Sequence, residues 1–255
     1  MARYYDVHLF TLAQVPTLLR VEGSWPGSIA LSAGWFRARA RPWNETITDP
    51  MLRLERGGAE FLTAVSRHLF EMGAASVYSP ALYPGATRVW RRSGFGDYAR
   101  LDVMERRLDG DSAPDHPANV AIEGSPDWSS VLELDRLAFD GFWGMSRLGL
   151  EEAHRTNRDT ALLVTRTGDR LTGYCIVGAQ WGTVYLHRIA VRPEAAGQGL
   201  GAALIGAAVD WGSSVGGQSL VLNVRPENDR ARDLYRRLGF ASTNTALDVL
   251  RLERG

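Results

Sequence analysis

The sequence predicts an α/β protein of two tandem domains, each a mixed, twisted sheet flanked by helices. Three observations lead there. From residue 119 onward, strand-like and helix-like segments alternate, the pattern of a sheet with helices packed on its faces. A polar stretch at 106–119, Arg-Arg-Leu-Asp-Gly-Asp-Ser-Ala-Pro-Asp-His-Pro-Ala-Asn, has the prolines and glycine of a connector. The first half also carries a faint copy of the second: Trp90-Arg91-Arg92-Ser93-Gly94-Phe95 matches Tyr235-Arg236-Arg237-Leu238-Gly239-Phe240. The two phenylalanines stand 145 apart (240 less 95), and Leu101-Asp102-Val103-Met104 meets Leu247-Asp248-Val249-Leu250 one residue further on. A repeat that long fits two duplicated domains rather than a solenoid, whose period is ~20–50 residues. The expected borders are a first domain at 1–108, a linker at 109–118 and a second domain at 119–255.

In the first half, the amphipathic run Glu60 to Met72 predicts a helix and Ala75 to Tyr78 a strand. In the second, strands are expected near 119–123, 160–166, 171–179, 183–191 and 218–224. Helices are expected near 127–138, 146–156, 199–213 and 227–238, with a final strand pair from 240 onward. The stretch Trp35-Phe-Arg37-Ala-Arg39-Ala-Arg41-Pro-Trp43 mixes aromatic and basic residues as nucleic-acid sites do. Its strict alternation is better read as a strand with a solvated charged face, so no nucleic-acid partner is expected.

Composition narrows the function classes. Hydrophobic residues make up 45% of the 255 and charged residues 23%, an ordinary globular balance. Basic and acidic residues both number 29, so no net field recruits nucleic acid or an anionic membrane; every basic residue is arginine. The one cysteine, Cys175, rules out an internal disulfide and sits in the apolar run Tyr174 to Val177, the setting of an inert thiol. Met1 to Asp6 carries no apolar secretory segment and no run nears ~18 apolar residues, so a cytoplasmic protein without a membrane partner is expected.

The chemistry concentrates after the strand at 183–191. Three alternating glycines, Gly197, Gly199 and Gly201, run into a helix whose apolar positions are Leu200, Ala203, Leu204, Ala207, Ala208 and Trp211. Glycines there let main-chain amides approach phosphate oxygens at the positive end of a helix. A dinucleotide fingerprint fits poorly: Arg192 to Ala196 separate strand from first glycine, and the next strand ends in Asn223 rather than an acid. A second motif follows, Asn228-x-x-Ala231-x-x-Leu234-Tyr235-x-x-x-Gly239-Phe240. Ala231, Leu234, Tyr235 and Leu238 share one helical face; taken alone, Tyr235 reads as a core aromatic.

Together the two motifs, at their separation, resemble the paired signature of the GNAT N-acetyltransferases, closely over 185–240 and in element order over 119–255. The resemblance implies two GNAT-like domains, the first degenerate, and transfer of acetyl from acetyl-CoA to a primary amine of a small molecule, peptide or protein. It implies direct attack in a ternary complex. It further implies that the main chain of Ile189, Ala190 and Val191 meets the pantetheine arm. The amides of Gly197, Gln198, Gly199, Leu200, Gly201 and Ala202 would hold the diphosphate, Asn228 would lie beside the cofactor, and Tyr235 would face the thioester sulfur. Where the family has arginine or glutamine this chain has Ala196, for which Gln198 or Arg192 can substitute.

Strand alternation puts Tyr185, His187, Ile189 and Val191 on one face, which makes His187 the candidate general base. A packed strand histidine is the alternative reading. A base matters for a lysine-type amine near ~10.4, neutral about once in ~2,500 at pH 7, and less for an α-amine near ~7.7–8.0. Phe142 and Trp143, between the first two helices of the second domain, are the candidate acceptor-site residues, with ordinary packing as the alternative. In the first half, Arg53 to Gly58 lacks the alternating glycines and Trp90 replaces Tyr235, which predicts no CoA binding of the usual kind. The tandem layout is similar to that of the mycothiol synthases. The rival reading is a non-catalytic acyl-CoA-binding regulatory or scaffold protein, and the oligomeric state stays open, a homodimer included.

Overall fold

The computed structural model describes residues 3–7, 17–108, 119–139 and 141–255. The first half runs β1 (Arg3–Val7), β2 (Thr17–Gly23), β3 (Ile29–Ala33), β4 (Phe36–Pro42), β5 (Pro50–Arg56), α1 (Ala59–Glu71), β6 (Ser76–Tyr78), α2 (Pro84–Arg92) and β7 (Gly96–Arg107). The second runs β8 (Ala121–Ile122), α3 (Trp128–Ala138), α4 (Arg147–Arg155), β9 (Asp159–Thr167), β10 (Arg170–Gln180) and β11 (Thr183–Val191). It continues with α5 (Leu200–Ser214), β12 (Ser219–Val224), α6 (Asp229–Arg237) and β13 (Ala241–Glu253). A 3-10 turn at Gly141–Trp143 separates α3 from α4. The expected final strand pair is instead the single 13-residue β13: no turn residue interrupts Ala241 to Glu253.

Contacts divide the chain into two compact units, Met1–Arg100 with Ala246–Gly255, and Leu101–Thr245. The chain therefore leaves the first unit inside β7 and re-enters it inside β13. The borders read from sequence lay at 108 and 119; residues 109–118, read as the linker, lie outside the described residues. In unit 1 the strand order is β1-β2-β3-β4-β5-β6-β13, in unit 2 β7-β12-β11-β10-β9-β8. Both are mixed sheets: β5 and β6 pair parallel, as do β11 and β12, while the other described pairs within each unit are antiparallel.

The repeat seen in the sequence is a repeat of elements. Strand, helix, parallel strand, helix and strand follow in each half, as β5-α1-β6-α2-β7 and β11-α5-β12-α6-β13. The helices α2 and α6 are both 9 residues long, and their first residues stand 145 apart (229 less 84). Their ends close alike. Gly94 and Gly239 take φ of 89° and 83°, and the amides of Phe95 and Phe240 donate to the carbonyls of Trp90 and Tyr235. Each phenylalanine ring then packs on that aromatic, at 4.8 Å and 5.8 Å between centroids. Glycine is needed at both because an L side chain at that φ is strained.

The core of unit 1 gathers Leu31, Leu52, Phe61, Leu62, Val65, Val77, Trp90 and Leu250. Unit 2 has two cores, one on each face of its sheet. Cys175, Val177 and Ala179 of β10 pack toward α5 and α6, while Tyr174 and Ile176 pack toward α3 and α4. A strand covered on both faces reads as a continuous apolar run, which is what β10 shows. The expected burial of Cys175 holds; it is fully enclosed and burial raises its thiol. No helix among the described residues is long and apolar enough to cross a membrane.

Candidate active site

The site is built on β11. Its register with β10 pairs Ile176 with Arg188 but Val177 with Leu186, so His187 is an extra residue, a β-bulge. A bulge flips the side-chain phase of the strand beyond it. Val184 and Leu186 belong to the α5-side core, and so do Ile189 and Val191 further on, whereas Ala190 joins the α3-side core. The expected common face of Tyr185, His187, Ile189 and Val191 is therefore corrected. Tyr185 and His187 stack on one another, 6.0 Å between rings, while Ile189 and Val191 lie across the sheet.

The bulge also marks where β11 leaves its neighbour. Its parallel register with β12 covers Thr183 to Leu186 against Ser219 to Leu222 and goes no further. From His187 to Val191 the side of β11 turned away from β10 has no paired strand among the described residues. That stretch contains Ile189, Ala190 and Val191, whose main-chain groups can serve an extended ligand in place of a strand.

At the end of β11 the chain turns through Arg192 to Gly199 into α5. Gly197 and Gly199 take φ of 84° and 81°, and a Cβ on either would meet nothing within 4 Å, so the loop is open as well as left-handed. Gly199 caps α5, whose first helical bond closes from Ala203 back to Gly199. The amides of Leu200, Gly201 and Ala202 precede that bond and have no acceptor within the helix. Gln198 is exposed on this loop. Arg192 is not: it is 3% exposed, its Nε donates to the Leu171 carbonyl at 2.6 Å and its Nη2 to Glu133 at 2.8 Å. Of the two substitutes named for the side chain missing at Ala196, only Gln198 is on the loop's open side.

The helix α6 closes against this turn. A Cβ built on Gly201 would stand 3.3 Å from the Leu234 side chain, so only glycine allows the two helices to approach without displacement. Tyr235, the next residue, is 6% exposed in the same core. Burial, and Cys175 beside it, raise the phenol above its ordinary range, so it stays protonated at any working pH. Its hydroxyl has no protein partner among the described residues and is not one of the fully enclosed polar atoms. Asn228 is the N-cap of α6, accepting from the Ala231 amide at 3.2 Å.

The α3 side of β11 holds a buried ion pair that sequence reading missed. Asp135, wholly enclosed, accepts from Arg188 Nε and Nη2 at 2.7 and 2.8 Å, from the Tyr174 hydroxyl, and from the Met145 amide at 2.8 Å. Arg188 also donates to the Trp143 carbonyl at 2.7 Å and lies 3.4 Å from the Phe139 ring. This network ties the segment carrying Phe142 and Trp143 to the bulge. The two rings meet edge-on at 5.3 Å, and Arg225, just after β12, sits 5.5 Å over Trp143. A signal was present: Asp135 occupies the apolar stripe of α3, at Val131, Leu134, Asp135 and Ala138, where an acid needs a partner. His187 itself bonds Asn157 through Nε2 at 2.6 Å, and burial lowers its imidazole to about 4.

Unit 1 offers a contrast at the equivalent place. Only Gly57 and Gly58 stand between β5 and α1, where unit 2 has Arg192 to Gly199. A cavity of about 580 Å³ lies there, lined by Leu54, Gly58, Leu82, Arg88, Trp90 and Arg92 among others.

Known proteins show the same architecture. The sequence profile of the acetyltransferase (GNAT) family matches residues 128–240. A mycothiol acetyltransferase of Kineococcus radiotolerans is 30% identical over 79% of this chain and 69% of the relative. One from Gordonia bronchialis is 27% identical over 80% of this chain and 71% of the relative. Among solved structures, a tandem GNAT protein from the clavulanic acid biosynthesis pathway aligns with TM-score 0.59 and 15% identity, covering 89% of this chain and 82% of that one. A GCN5-related N-acetyltransferase of Sphaerobacter thermophilus aligns with TM-score 0.51 and 18% identity, over 89% and 81%. At those identities the structures speak for the fold.

Proposed function

We propose, for a chain that belongs to the GNAT family of acetyltransferases, that unit 2 moves the acetyl group of acetyl-CoA to a primary amine of a small molecule, peptide or protein by direct attack. The observation that carries this reading is local to one unit. A bulged strand with an unpaired side, an open glycine turn and a helix bearing Tyr235 converge through the Gly201–Leu234 approach.

The residues fit the cofactor. Amides from Gly197 to Ala202 suit a diphosphate, as helix N-termini and left-handed glycine turns do, and β11 from Ile189 to Val191 suits the amide-bearing pantetheine arm. Bound acetyl-CoA supplies an acyl carbon activated by its thioester. His187, neutral above about pH 4, accepts the proton that the attacking nitrogen sheds once it has bonded to the acyl carbon. Tyr235, holding its proton, donates a hydrogen bond to the departing sulfur. Phe142 and Trp143 flank the acceptor. Unit 1 is the degenerate partner, its phosphate turn cut to two glycines and its tyrosine replaced by Trp90, whose indole cannot transfer a proton at neutral pH.

A thiol-release assay with acetyl-CoA and a panel of amines, including the acceptor of the mycothiol acetyltransferases, tests the proposal. CoA release dependent on one amine class is expected; calorimetric acetyl-CoA binding with no turnover on any acceptor contradicts it and favours a regulatory role.

A further inference from the structure

The bend between α4 and β9 places Asn157 against the bulge, and its surroundings are specific. Its Oδ1 lies 2.6 Å from His187 Nε2, and its Nδ2 donates to Gln180 Oε1 at 3.3 Å. With Nδ2 facing the glutamine oxygen, Oδ1 is left for histidine. An oxygen acceptor at Nε2 requires the proton on that nitrogen, so the neutral imidazole carries its lone pair on Nδ1. The pocket for Asn157 is made by Gly178 of β10, a buried glycine without a left-handed φ. A Cβ there would fall inside contact distance of Asn157 Oδ1, Cγ and Cβ. Backbone freedom does not explain this glycine; space for Asn157 does.

We infer that Asn157 is a positioning residue that holds His187 as its Nε2–H tautomer, leaving Nδ1 to take the acceptor's proton, and that Gly178 exists to seat it. The inference rests on the proposed role of His187 and deepens it. In the step it serves, the lone pair of the neutral amine forms the bond to the acyl carbon, and the proton that the now cationic nitrogen sheds passes to Nδ1. The carbon–sulfur pair leaves on the thiolate, which Tyr235 stabilises. Tyr185 is a titratable group stacked on the imidazole; burial lowers His187, with no charged neighbour contributing.

The experiment combines nitrogen NMR of the His187 ring with kinetics of the full chain. At neutral pH the wild type should show a protonated Nε2 and a bare Nδ1. Asn157→Ala should mix the tautomers and lower kcat/KM about 10–100-fold, as loss of an orienting partner does, while KM for acetyl-CoA holds within about twofold. Gly178→Ala should reproduce that pattern by displacing Asn157. Asn157→Asp should keep the tautomer and move the acid limb of the pH profile up by about 1–3 pH units, because a carboxylate favours imidazolium. A wild-type Nδ1–H tautomer, or an unmoved pH profile in Asn157→Asp, overturns the inference. So does unchanged kcat/KM in Asn157→Ala when His187→Gln has lost turnover, and then the base role survives alone. Full turnover in His187→Gln overturns the base role and the inference together.

Discussion

Tyr235 sits where two demands meet: its ring completes a core and its hydroxyl has no protein partner among the described residues. Removing the hydroxyl alone should therefore cost chemistry more than structure. Tyr235→Phe is expected to lower kcat about 10²–10⁴-fold with the acetyl-CoA dissociation constant within about twofold. Stopped assays with calorimetry check this, and an unchanged kcat removes the phenol from the reaction. His187 gives a prediction in pH. Its folded value, about 4, lies below the usual ~6.5, so between those limits the unfolded chain binds the extra proton. Stability then rises with pH through that window and is lost as pH falls through it. Urea unfolding at pH 7 and pH 5 should show a smaller loss in His187→Gln than in wild type. Asp135 is a third case. Asp135→Ala leaves the Arg188 charge enclosed without its carboxylate and should destabilise by about 3–5 kcal/mol, read from the urea midpoint.

Elements decide what the sequence could reveal. The helices α5 and α6, the glycine turn and the Gly-Phe ends were legible because each is a local pattern: period, cap and terminator lie within one segment. Phe142 and Trp143 stood out in the sequence as aromatics in a connection, and the structure half-buries both. The bulge was not. Tyr185 to Val191 alternates as a regular strand would, and the extra residue exists only against β10, a long-range pairing. For the same reason the face of Ile189 and Val191 came out reversed, and the Asp135–Arg188 and Asn157–His187 pairs stayed hidden, since 53 and 30 residues separate their members. A local element also yields a local test. Gly199→Ala puts an L side chain at φ 81°, which should cost about 1–2 kcal/mol and weaken acetyl-CoA binding, as the first amides of α5 re-aim.

At the scale of the whole molecule, neither unit is a simple half of the sequence. Leu250, fully buried, belongs to the core of unit 1, and β13 pairs with β6 through Arg251–Tyr78 to Glu253–Ser76. In unit 2, β12 pairs with β7 from Asp102 to Arg107. A fragment of residues 119–255, the second domain as the sequence alone delimits it, lacks that strand and leaves β12 an open edge, a template for aggregation. It is expected to express poorly and to lose acetyl-CoA binding, where a duplication of independent domains would leave both intact. The most direct measurement is a crystal structure of the full chain with CoA bound. Its diphosphate should lie on the amides of Gly197 to Ala202, its pantetheine beside Ile189 to Val191, and its sulfur within hydrogen-bond reach of the Tyr235 hydroxyl. CoA bound away from the glycine turn, or a sulfur remote from that hydroxyl, would contradict the account.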